Sequence, residues 1–139
     1  MPAGGLELKA RIGETEKLTI NLGVVDLGQI DLLVQEGFYS NRTDLIRTAI
    51  RNQLSAHADA VKNAVSRRTL VLGLQHFSRG DLERALAAGQ MLHIQVVGLA
   101  RIAEDVTPKL ARATIESVAV LGAFHATPAV RAALADRIH

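Results

Sequence analysis

Residues 16–54 read EKLTINLGVVDLGQIDLLVQEGFYSNRTDLIRTAIRNQL, and this stretch decides the fold. From Lys17 to Leu22 polar and apolar residues alternate, the period of a strand with two unlike faces. Lys17, Thr19 and Asn21 fall on one face, and Leu18, Ile20 and Leu22 on the other. Two helix patterns follow. Asp26 with Gln29 predicts a capping box, Leu27, Ile30, Leu33 and Val34 an apolar stripe, and Gly37 a stop. Asn41 with Asp44 predicts a second capped start, and Leu45, Ile46, Ala49, Ile50 and Leu54 a second buried face. The short link 38–40 requires the two helices to pack as a tight pair.

A single strand can neither bury its apolar side nor satisfy its backbone hydrogen bonds. The segment therefore calls for a second copy of itself, with the two strands paired as a ribbon. Such a ribbon fits the major groove of DNA. The outer face offers an ammonium, a hydroxyl and a carboxamide, all suited to base edges. An ordinary solvated strand face would look the same on alternation alone; the helix pair behind it favours the first reading.

With its strand KLTINL and its helix entry NRTDLIRTAI, the segment resembles the ribbon-helix-helix family, in its CopG-like branch. The resemblance covers residues 16–54. It implies an intertwined dimer whose paired strands enter the major groove, with Lys17, Thr19 and Asn21 as base readers. It also implies that Ser40, Asn41 and Arg42, at the start of the second helix, clamp a phosphate. Strands of this family are often richer in Arg. One Lys and two neutral groups predict modest specificity per site, with cooperativity between dimers supplying the remainder.

Around this core, residues 1–15 form an arm. Leu6, Leu8, Ala10 and Ile12 alternate with charged residues, an extra candidate strand. It could place Lys9 and Arg11 on DNA, or simply cover a sheet edge; the mixed charges favour the edge. Residues 55–68 are Ala-rich without Gly or Pro, which predicts that the second helix continues. Beyond it, TLVLG (69–73), IQVVG (94–98) and VAVLG (118–122) are apolar runs closed by glycines 25 and 24 residues apart (73 to 98, 98 to 122). A helix pattern follows each: Asp81–Ala88, then one opened by Thr107-Pro108, then one opened by Thr127-Pro128. The expectation is an α+β chain. A ribbon-helix-helix over residues 16–67 precedes a small β-α repeat over 68–139, either solenoid-like or a compact α/β domain. Sheet edges left without a capping unit would drive oligomerisation.

Composition narrows the function. The 139 residues carry a net charge of +2, and Lys/Arg against Asp/Glu is nine to eight before Thr69 and seven to six after it. Contact with nucleic acid must then rest on local placement of charge. There is no Cys, hence no thiolate metal site or cysteine nucleophile. His76, Arg101 and His125 each follow a repeat glycine by three residues. They could line up as an anion or subunit contact, although such residues are more often the polar side of a turn. The resembled family includes nickel-responsive regulators, but no two His here stand at i, i+4, so no metal or other cofactor is expected. No nucleophile motif or phosphate loop marks an enzyme. No apolar run nears the length of a membrane span, so a cytoplasmic location is expected. The expected partners are double-stranded DNA and further copies of the chain, in a transcription regulator of repressor type. The alternative is a self-assembling structural protein that forms a filament, tube or ring and uses the helix pair only to dimerise. An antitoxin ranks last, because 69–139 carries enough apolar sequence for its own core.

Overall fold

The computed structural model describes residues 15–139, which fall into two compact units, 15–64 and 65–139. The arm strand at Leu6–Ile12, with Lys9 and Arg11, lies outside the described residues.

In the first unit, residues 15–23 run without helix or turn into α1 (Val24–Gln35), followed by α2 (Arg42–Ala56) and α3 (Ala58–Arg67), which continues into the second unit. Helix α1 begins earlier than its pattern predicts. Gly23 is the N-cap, its carbonyl accepting from Leu27 N–H at 3.0 Å, and no side chain caps the end. The expected Asp26–Gln29 box is therefore not formed; Asp26 sits inside the first turn, where a carboxylate still suits the helix dipole. The stop is as expected. Gly37 takes φ +85°, its N–H reaching Val34 O at 3.1 Å while Phe38 N–H reaches Leu33 O at 3.0 Å. Those two bonds satisfy the orphan carbonyls in a Schellman motif.

The second helix does not run on unbroken. At His57 the backbone N–H turns to Leu54 O, 3.1 Å away, and α3 starts afresh with Val61 N–H on His57 O at 3.0 Å. None of the residues in α1, α2 or α3 is buried. Leu18 is 83% exposed and Ile20 59%, and Val24, Phe38, Ile50 and Leu54 are also open to solvent. A single copy of this unit has helices but no core.

The second unit does have one. Strands β1 (Val71–Phe77), β2 (Leu92–Ile102) and β3 (Ile115–His125) form a parallel sheet in the order β1-β2-β3. Helices α4 (Arg79–Ala87), α5 (Pro108–Thr114) and α6 (Pro128–Ala133) alternate with them, α4 packing on α5 and α5 on α6. Leu82, Ile94, Val96, Ile115, Val118, Val130 and Leu134 are completely buried between the layers. Thr107 and Thr127 cap their helices by accepting from Leu110 N–H (3.1 Å) and Val130 N–H (3.3 Å), each with Pro in the first turn. Ser78 and Asp81 make a reciprocal capping box for α4, which starts at Arg79, ahead of the expected Asp81.

Register explains the glycine spacing. Gly73, Gly98 and Gly122 stand side by side across the strands, with φ of +131°, +137° and +120°. A Cβ on Gly98 would collide with the Gly73 carbonyl, and one on Gly122 with the Gly98 carbonyl. Only glycine allows both the conformation and the approach. At the far end of the chain, a 3-10 turn (Ala135–Arg137) brings Ile138 beside Val118 on the outer edge of β3, and His139 N–H bonds Val118 O at 2.8 Å. Arg137 anchors this turn on the carbonyls of Arg112 (2.6 Å) and Ile115 (2.7 Å). The tail thus covers the start of the β3 edge, which the sequence leaves uncapped.

Candidate nucleic-acid interface

Lys17, Thr19 and Asn21 lie on the stretch before α1 that forms no helix, strand or turn, all exposed, and so do Leu18, Ile20 and Leu22. In one chain the stretch is wet on both faces. Its apolar side lacks the cover that the alternation calls for, while the polar side carries no ion pair among the described residues.

The entry to α2 is more constrained. Asn41 caps the helix by accepting from Asp44 N–H at 2.8 Å. The Asp44 carboxylate reaches back to the amide of Ser40, at 3.0 Å, not to that of Asn41. Those contacts occupy the amide of Ser40, one of the residues expected to hold a phosphate, together with that of Asp44, and put a negative charge beside them. The amides of Arg42 and Thr43, in the first turn, belong to those a helix leaves without a partner. The Arg42 guanidinium is itself engaged: Nε and Nη2 donate to the two carboxylate oxygens of Asp31 at 2.7 and 2.8 Å. Such a fork is the strongest geometry an Arg–carboxylate pair can take. Hydrogen bonding from Arg42 holds the Asp31 carboxyl below its ordinary value, and the same contact raises the guanidinium.

The sequence pattern did not single out two further cations here. Arg47 and Arg51, one turn apart on α2, line a shallow hollow of about 380 Å³ with Ser40, Asn41, Thr43 and Asp44. Both are exposed, and neither has an ion-pair partner among the described residues. The i, i+4 spacing from one helical turn past the cap was the signal available. Ser40, Asn41 and Arg42 follow one another at the start of α2, and Arg47 and Arg51, without an ion-pair partner among the described residues, lie a turn further along.

In the second unit the row His76–Arg101–His125 is in register across all three strands. It lines an open hollow of about 760 Å³ at the carboxyl ends of the strands, with Glu104, Asp105 and Thr127 on the rim. The row thus shares its hollow with two carboxylates. No cluster of three or more metal-binding side chains occurs among the described residues, and no helix among them is long and apolar enough to cross a membrane.

The first unit is thus a helix pair with an irregular lead and no buried residue in its helices. The chain belongs to the ribbon-helix-helix transcriptional regulator family, whose pattern matches residues 13–131. The match runs well past the helix pair and through the sheet, so the β–α half falls within the family pattern. Membership makes the chain a DNA-binding transcriptional regulator in broad class. Comparison with curated proteins and with solved structures returned no match.

Proposed function

We propose that the chain is a sequence-specific DNA-binding regulator that reads the major groove as an intertwined dimer. Residues 17–22 of two copies pair as a ribbon, turning Leu18, Ile20 and Leu22 onto the helices and Lys17, Thr19 and Asn21 toward base edges. The observation that carries this reading is the exposure of Leu18 and Ile20 beside helices that bury nothing. Full burial of such side chains stabilises by about 1.5–3 kcal/mol each, and a second copy supplies the missing cover. The start of α2 then sits against the phosphate backbone, with Ser40, Asn41 and Arg42 at the contact and Arg47 and Arg51 adding charge. Further association between dimers makes binding cooperative.

The test is a fluorescence-anisotropy titration with DNA from upstream of the chain's own gene and a shuffled control, at two salt concentrations. Tighter binding to the native DNA at both salts is expected, with a Hill slope above one on a multi-site fragment. Equal affinity for the two DNAs would remove the sequence-specific reading.

A second reading, a self-assembling structural protein, draws on the near-neutral charge and on the exposed Leu72 and Leu74 of β1. Large particles formed without DNA, and no sequence preference, would identify it.

A further inference from the structure

The sheet of the second unit has two outer edges, and they match. On one side β1 is short, beginning at Val71, and Leu72 is 62% exposed. On the other side, among the described residues, Ile138 and His139 reach β3 only at Val118, and no further bridge is made on that edge from Val120. The internal register aligns Val71 with Val96 and Val96 with Val120. A strand equivalent to β1, laid against β3 in the same register, would therefore begin opposite Val120, one step beyond the tail. At the other end Arg131 Nη1 already donates to Phe124 O, so the open stretch is residues 120–123.

Gly73 supplies an independent sign. It holds the same left-handed-side backbone, φ +131°, that Gly98 and Gly122 need because a neighbouring carbonyl presses on them. Yet among the described residues nothing lies within 4 Å of where its Cβ would stand. Gly73 is shaped for a carbonyl that none of the described residues provides. In the internal pattern that carbonyl belongs to the glycine of the preceding strand, and the glycine exposed on the far edge is Gly122.

We propose that β3 of one copy pairs in parallel with β1 of another, with Gly122 opposite Gly73 and Leu121 opposite Leu72. The joint is head-to-tail: each chain contributes a different edge and keeps one free. Both edges gain backbone partners in the stretch that the tail leaves open. The occupant is a second copy because one register satisfies both edges at once, whereas a cover on β1 alone would leave β3 open. This deepens the assembly part of the function proposed above and is independent of its DNA-binding part.

The absence of native Cys makes the register testable in the full-length chain. In the variant carrying Leu72→Cys and Leu121→Cys, the two thiols of one chain are separated by β2. Two strand spacings are roughly 9.6 Å, beyond the ~7 Å limit for a disulfide, whereas directly opposed positions on adjacent strands lie within it. Mild oxidation is expected to give a covalent ladder extending past the dimer on a non-reducing gel. Each single variant should give no ladder. The pair Leu74→Cys with Leu121→Cys, two residues out of register, should give little. No ladder from the first pair, or an equal ladder from the out-of-register pair, would overturn the proposal. As a second measurement, Leu72→Lys should lower the sedimentation coefficient to that of the dimer while circular dichroism stays unchanged; an unchanged coefficient would also overturn it. DNA titration of the same variants separates the two readings, since failure of the joint with retained sequence preference removes the joint alone.

Discussion

Where α1 meets α2, the Asp31 carboxylate holds both arms of the Arg42 fork, so the side chain nearest the helix entry is not the freest cation there. Asp31→Asn should release the guanidinium and tighten binding to every DNA sequence, read as a parallel rise in affinity for native and shuffled duplexes. Arg47→Ala and Arg51→Ala should weaken binding to both DNAs and flatten the salt dependence, the slope falling by about one for each phosphate that is no longer neutralised. Lys17→Ala and Thr19→Ala should erode the preference for native over shuffled DNA while the protein stays folded, with discrimination falling by at most about 1–3 kcal/mol per position. Acid has its own effect. Because the folded-state carboxyl of Asp31 is lowered, the pair contributes above the ordinary carboxylate value and is lost as pH falls through the lower, folded one. An NMR titration of the Asp31 carboxyl carbon should show a midpoint below 3.8 that returns toward 3.8 in Arg42→Ala. Both groups are exposed, so the effect on global stability is small.

At the level of helices and strands, the caps carry the local instructions. Asn41→Ala should cost about 1 kcal/mol, seen as a lower urea midpoint with unchanged slope. Gly98→Ala should cost more than the ~1–3 kcal/mol of backbone strain alone, because the new Cβ also meets the Gly73 carbonyl. Much of this was legible in the sequence, because cap, Pro and Gly signals act over three or four residues. Asn41, Gly37, Thr107-Pro108 and Thr127-Pro128 all act where they were expected. Asp26 misled because Gly23 offers an extended start three residues earlier. The break at His57 leaves no Gly or Pro to announce it. The glycine spacing could be counted, but its cause is a collision between strands that no local pattern contains. The Arg42–Asp31 pair joins two helices eleven positions apart, again out of reach of a pattern read within one helix.

Taken whole, the chain joins a unit with a buried core to one without. The contrast predicts different responses to dilution. Ile20→Lys places a charge on the face proposed to be shared between copies; it should abolish dimerisation in sedimentation and with it sequence-specific DNA binding. The folded signal of residues 65–139 should persist in the same sample, since Leu82, Ile94 and Val118 are buried within that unit. The uncovered Leu18 and Ile20 also bear on dosage. A reader assembled only when two chains meet has an abundance that follows the square of the chain's concentration while monomers predominate. If such a protein represses its own gene, a modest fall in synthesis would empty the operator disproportionately. Those two leucine and isoleucine side chains would then set the threshold at which the gene is reopened.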